Sequence, residues 1–236
     1  MLVWGNVVMA LLDKIGHVLS SDIAKEFKFK KKQAHQECDL TFIDQLKKRR
    51  TVNELGKRIH HGQTYVTELI QEAVRSCPSA HNSQSTRVVM LYGKSHQRFW
   101  DIVKESQKKI VPSHIFASVE MKMDKFANAY GTVLFYEDQA VVKQLQKKRP
   151  MDAEDFPIWS EQTSGMAQYA VWTALADSGI GAALQHYNPV IDLHVAKEFS
   201  IPDTWKLRAQ LVFGSIEQEI EEKIHEDYKE QFRIIS

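Results

Sequence analysis

Few of the residues that mark special classes of protein occur in this chain, and each scarcity excludes something. Only Cys38 and Cys77 occur among 236 residues. Two cysteines make no disulfide framework, and their separation fits no paired zinc spacing, so both read as reduced thiols. Ten glycines and six prolines leave no flexible linker and no low-complexity tract. A net charge of +1 calls for neither nucleic acid nor an anionic membrane as partner. No apolar run nears the roughly 20 residues that span a bilayer. The apolar opening Met1–Leu12 lacks a basic start and a small-residue cleavage site before Asp13 and Lys14, so a secretory signal is not expected. His60 and His61 are sequence neighbours, and His186 and His194 are too far apart for a helical ligand pair, so no metal is expected. The reading is of a cytoplasmic protein.

What is present is an ordinary globular composition, 43% hydrophobic and 26% charged. Residues 7–28 have helical periodicity, and the basic run Lys28–Lys32 follows; residues 1–40 are read as an N-terminal extension of unknown role. The compact domain is expected over 41–236, opening on the capping-box pattern Thr41-Phe42-Ile43-Asp44. Val66, Leu69, Ile70, Ala73 and Val74 mark a helix that Pro78 stops. Thr86–Tyr92 is a strand closed by Gly93, with Ser95 the expected cap of a helix reaching Ile110. Another helix is expected over His114–Ala129. Gly131–Tyr136 is wholly apolar, as when both faces of a strand are covered. Ser160–Asp177 is a helix apolar nearly all round, which belongs at a domain centre or a subunit interface. Ala182–Gln185 is a short strand, Pro189 opens a helix, and Lys206–Phe213 is a last strand ended by Gly214. Interleaved helices and strands predict a sheet between helical layers.

Three segments could carry chemistry. Lys47-Lys48-Arg49-Arg50-Thr51 follows a short helix. Four cations there suit the negative end of the helix dipole, but arginine forks with a threonine hydroxyl also suit a phosphate. Pro78-Ser79-Ala80-His81-Asn82-Ser83-Gln84 is either an ordinary turn or an amide-rich loop able to meet the edge of a flavin or nucleobase. Gly179-Ile180-Gly181-Ala182-Ala183-Leu184 is not a dinucleotide fingerprint, because Leu184 stands at the third glycine position and a helix precedes it. No Gly-x-Ser-x-Gly elbow or Walker loop exists, and Cys77 has no evident base.

In order and spacing these strings resemble the nitroreductase family from about Phe42 to Phe213. Lys48-Arg49-Arg50-Thr51, Pro78 to Ser85 and Tyr130-Gly131-Thr132-Val133-Leu134-Phe135 carry the likeness. Phe156 to Gln162, Leu184-Gln185-His186-Tyr187-Asn188-Pro189 and Phe213-Gly214-Ser215-Ile216 are similar to its short, fatty-acid-repression-mutant-like subgroup. The resemblance implies an α+β fold: a central mixed sheet flanked by helices, in an intertwined homodimer with flavin mononucleotide (FMN) at the interface and helix 160–177 at the dimer core. It implies FMN phosphate and ribityl contacts from Arg49, Arg50 and Thr51, amide contacts from Asn82 and Gln84 of the partner subunit, and backbone contacts from Leu184, Gln185 and His186 along the isoalloxazine. The C-terminal phosphate contact falls on Lys223, within an unusually acidic stretch, Glu217–Glu230. The implied activity is transfer of hydride from NADH or NADPH through flavin to nitroaromatics, quinones or similar acceptors. No protein residue is assigned as catalytic, since the flavin carries the chemistry; His81, His186 and Tyr187 could line the pocket. The alternative is a flavin-binding regulatory or stress-sensing protein with little turnover, its extension recruiting a partner.

Overall fold

The computed structural model describes residues 41–220, 223 and 231–235. The helix expected over 7–28 and the Lys28–Lys32 run lie outside the described residues. By its internal contacts the chain divides into Met1–Asp44 and Gln45–Ser236, and the second unit is the one described below.

Its middle layer is a five-stranded sheet. Strand β5 (Trp205–Ile216) lies at the centre, pairing on one edge with β3 (Gly131–Asp138) and on the other with β4 (Gly181–Gln185) and the two-residue β1 (Leu55–Gly56). Strand β2 (Thr86–Tyr92) closes the far edge against β3. All four ladders are antiparallel; the parallel element among the described residues is the single bridge between Thr51 and Ala182.

Side chains alternate across this sheet, and each face has its own core. Val133 and Phe135 of β3, with Leu211 and Phe213 of β5, pack against helices α2 (Gln63–Arg75) and α6 (Phe156–Asp177) through Val66, Ile70, Ala167, Val171 and Leu175. Leu134, Tyr136 and Val212 face the other way. They meet Phe99, Trp100, Phe126 and Val195 of α3 (Gly93–Lys108), α4 (Ser113–Ala127) and α7 (Asp192–Phe199). Strand β3 is buried at every position, as its apolar run predicts. The remaining helices are α1 (Thr41–Lys48) and α5 (Gln139–Lys148).

Helix α6 begins at Phe156 rather than Ser160 and α7 at Asp192 rather than Pro189, and two further boundaries differ at glycines. Helix α3 starts at Gly93 rather than after a Ser95 cap, because Gly93 has φ +54 and turns the chain straight from strand to helix. Gly214 does not end β5: it lies within the strand, opposite Gly181. A Cβ there would stand 2.1 Å from the Gly56 carbonyl oxygen, so this glycine admits the β1 backbone alongside.

Helix α6 is the longest described element, at 22 residues. Ala167, Val171 and Leu175 are fully buried on one side, while Ile158, Met166 and Tyr169 on the other are between 40% and 56% exposed. No helix among the described residues is long and apolar enough to cross a membrane.

Candidate functional site

Beyond α1 the chain enters the sheet region as an extended segment. Thr51 bridges Ala182, and the Val52 amide donates to the Ala182 carbonyl at 3.0 Å. That pairing sets Arg49, Arg50 and Thr51 beside the start of β4, the strand that ends in Leu184 and Gln185. The Arg49 guanidinium lies over the Trp172 ring at 4.4 Å, with Tyr169 at 5.8 Å, both on α6. A cation flattened on an aromatic face is held by the ring's negative quadrupole and keeps its N–H edge available. Arg49 Nε is buried without a hydrogen-bond partner, as are Trp172 Nε1 and Thr173 Oγ1. Two unsatisfied N–H donors and a hydroxyl are unusual where buried polar groups are nearly always paired. Beside them a cleft of about 380 Å³ is lined by Lys47, Lys48, Arg50, Val52, Ile180 and Gly181, among others. Lys48 also pairs with Asp177 at 3.5 Å, near the end of α6, where a cation offsets the local charge. This donor set fits the phosphate end of a mononucleotide.

Asn82 and Gln84 lie elsewhere. Their loop precedes β2 and packs on the start of α6, where the His81 ring is 5.7 Å from Phe156 and 5.6 Å from Trp159. Gln84 Nε2 donates to Asn82 Oδ1 at 2.9 Å, and both residues are exposed. Trp159 and Trp172 are separated by roughly 20 Å of helix at about 1.5 Å per residue. Within one chain, then, the arginine cradle and the amide loop occupy opposite ends of α6.

Leu184 and Gln185 are half-buried at the end of β4, and His186 is exposed. The turn after them is held by the fully buried Gln210, which accepts from the Tyr187 amide at 2.8 Å and donates to Asn188 Oδ1 at 3.1 Å. Tyr187 places its ring edge-on to Trp100, and burial pushes its hydroxyl up to about 12. It is part of the core and a poor proton donor at neutral pH. Lys223 is exposed, and residues to either side of it lie outside the described residues. Among the described residues no group of three His, Cys, Asp or Glu side chains comes together as a metal site would require.

The nitroreductase family pattern matches residues 46–215. The chain belongs to the nitroreductase family. Nitroreductase FRM2 of Saccharomyces cerevisiae is 31% identical over 176 residues, 73% of this chain and 86% of FRM2, in keeping with the fatty-acid-repression-mutant-like subgroup. Nitroreductase CinD of Lactococcus lactis, solved with chloramphenicol, 4-nitrophenol and nicotinic acid, is 47% identical, covering 83% of this chain and 100% of its own, with TM-scores of 0.77, 0.76 and 0.73. A nitroreductase of Desulfitobacterium hafniense with bound FMN shares the fold at 12% identity and TM-score 0.62, over 82% of this chain and 97% of its own. As a nitroreductase the protein is an oxidoreductase with an α+β fold.

Three residues of this nitroreductase escape sequence reasoning: Trp172 beneath Arg49, Gln210 behind the β4 turn, and Glu137, fully buried at the end of β3. Trp172 is legible only as one apolar position on an all-apolar helix. Glu137 left a signal, an acidic side chain directly after an apolar strand, which reads locally as the strand's end.

Proposed function

We propose that the protein is an FMN-dependent oxidoreductase in which residues 41–236 bind the cofactor, working as a cytoplasmic homodimer. NADH or NADPH is the electron donor, and nitroaromatics, quinones or similar small molecules are the acceptors. The observation that carries the reading is the arginine cradle, with buried donors that lack acceptors and a cleft of about 380 Å³ alongside. Bound FMN supplies the redox chemistry, accepting hydride and passing electrons on in a second half-reaction.

The protein's own contribution is binding and orientation. Arg49, fixed on Trp172, offers its fork to the phosphate, with Arg50 and Thr51 toward the ribityl chain and Lys223 as the C-terminal contact. Leu184, Gln185 and His186 line the isoalloxazine through their backbone. Asn82 and Gln84 of the partner subunit complete the flavin edge, which accounts for their distance from Arg49 within one chain. The exposed apolar side of α6, with Ile158, Met166 and Tyr169, supports a subunit interface there. CinD's complexes support the choice of substrates: 4-nitrophenol and chloramphenicol are nitroaromatics, and nicotinic acid shares the ring of a nicotinamide donor.

Two measurements test this. Purified protein should be yellow, or become so on adding FMN, and should bleach with NADH or NADPH and recover its colour with 4-nitrophenol; a preparation that takes up no FMN refutes the reading. Bound FMN without steady-state turnover would instead support the sensing alternative. Arg49→Ala with Arg50→Ala should release FMN from a protein that stays folded by circular dichroism. Undiminished FMN retention would make these arginines a solvated helix end.

A further inference from the structure

Glu137 is fully buried, yet no salt bridge reaches it among the described residues; Arg87, on the neighbouring strand β2, pairs with Asp138 at 3.2 Å. Its carboxylate is satisfied entirely by hydroxyls. Ser85 Oγ and Ser160 Oγ donate to Oε2 at 2.5 and 2.6 Å, and Thr86 Oγ1 donates to Oε1 at 2.6 Å. A well-packed apolar side chain at such a position is often as stabilising as a buried carboxylate or more so, so stability alone does not explain the choice. What the carboxylate supplies is direction. It ties Ser85 and the first residue of β2, the end of β3 and α6 into one joint.

The segment entering that joint is strained. His81, Asn82 and Gln84 have φ values of 52, 52 and 47, the left-handed region that side chains other than glycine rarely adopt. Strain of this kind persists only where surrounding contacts over-determine it, and it gathers at functional sites. Several contacts converge here besides Glu137. The Gln84 amide donates to Ser79 Oγ at 3.1 Å, Arg87 Nη1 donates to the Gln84 carbonyl at 2.7 Å, and the Asp138 amide donates to the Ser85 carbonyl at 2.9 Å. Adjacent residues at the end of β3 thus fix the loop from both sides. Glu137 grips the hydroxyls of Ser85 and Thr86, while Asp138 takes the Ser85 carbonyl and, through Arg87, the Gln84 carbonyl.

We propose that Glu137 is a positioning residue: by collecting the hydroxyls of Ser85, Thr86 and Ser160 it holds the Asn82–Gln84 loop in the strained form that presents both amides to a flavin. The role toward flavin rests on the FMN reading above; the clamp itself does not. Glu137→Gln keeps the volume but replaces one accepting oxygen with a donor, so part of the hydroxyl set loses its acceptor.

The experiment has two arms. In the first, hydrogen exchange of wild type and Glu137→Gln without FMN should show amides of residues 83–87 exchanging at least tenfold faster, with those of β3 and β5 nearest the core unchanged. Equal protection of the loop in both proteins overturns the clamp. The second arm is a double-mutant cycle on FMN affinity, read by flavin fluorescence, with Gln84→Ala as partner. Each single variant should weaken FMN about tenfold, and the double variant by little more than Gln84→Ala alone. Additive losses, or no loss in Glu137→Gln, overturn the positioning role, because a merely structural defect does not couple to Gln84. Should wild type itself bind no FMN, the FMN reading fails on that titration, and the exchange arm still decides the clamp. If Glu137→Gln does not fold, Ser85→Ala removes a single donor and carries both arms.

Discussion

Lowering the pH should unfold this protein in part through one buried histidine. His96 is 1% exposed, on the first turn of α3. Its Nε2 lies 3.1 Å from the Phe126 carbonyl oxygen, which can only accept, so Nε2 carries the proton. Nδ1 lies 2.9 Å from Thr132 Oγ1, which already accepts from Trp100 Nε1 at 3.0 Å and so turns its own hydrogen toward the imidazole. The neutral ring is fully satisfied. A second proton, on Nδ1, would meet that hydroxyl hydrogen on a ring that is almost wholly buried. Burial is the largest cause and lowers the pKa from 6.5 to about 4, with Lys57 adding a little and backbone carbonyls opposing.

The sign follows from which state binds the proton. Between these two values the unfolded chain takes up a proton and the folded one does not, so stability falls as pH falls. The contribution is complete above about pH 6.5 and is lost by about pH 4. At about 1.4 kcal/mol per tenfold change in protonation, the whole window comes to roughly 3 kcal/mol, and about 2 kcal/mol of it is gone by pH 5. The assay is urea unfolding at fixed protein concentration, at pH 7.5 and 5, for wild type and His96→Gln. The variant starts lower, having lost good hydrogen bonds, but it lacks the titrating group. Other groups cancel in the comparison, including Asp192, whose carboxyl burial pushes up. Wild type should lose about 2 kcal/mol more than the variant between the two pH values. Parallel losses would refute the assignment of a neutral, proton-excluding His96.

Two further outcomes follow from single contacts. Gly214→Ala drives a methyl group to within 2.1 Å of the Gly56 carbonyl oxygen, so β1 must shift, at a cost of about 1–3 kcal/mol by thermal or urea unfolding; an unchanged melting temperature would mean that β1 yields freely. Trp172→Ala removes the ring beneath Arg49 while leaving the charge. A cation–π contact worth about 0.5–2 kcal/mol should then weaken FMN by roughly 2- to 30-fold in a fluorescence titration, with Trp172→Phe falling between variant and wild type.

Much of the architecture was legible because local pattern and tertiary environment agree. Gly131–Tyr136 is apolar but for Thr132, and β3 is covered on both faces. Val66 and Ile70 share a helical face, and both enter the core beneath the sheet. Legibility failed where one residue answers to a distant one. Gly214 resembles a strand terminator, but its missing side chain makes room for Gly56, far earlier in the chain. Gly93 resembles a strand end and is also the start of α3, because its positive φ lets the helix begin without a cap. Glu137 resembles the charged end of an apolar strand; its hydroxyl partners come from β2 and from α6, and no local rule brings these together.

The candidate site shows the same division more sharply. Read locally, Lys47–Thr51 is a helix end with compensating cations before it is a phosphate cradle, and nothing in the segment itself favours the cradle. Trp172 supports the proposed cradle: it holds the Arg49 guanidinium on its ring, and leaving the buried Nε without an acceptor is costly. The same helix that provides the shelf carries the His81 loop at its other end, against Phe156 and Trp159. A rigid helix cannot bring its two ends together, so no motion within one chain unites Arg49 with Gln84. The proposed homodimer would unite them, with the half-exposed apolar side of α6 as its seam. On that proposal the order of motifs along the sequence gives each chain two half-sites, and each half-site is completed by the partner subunit.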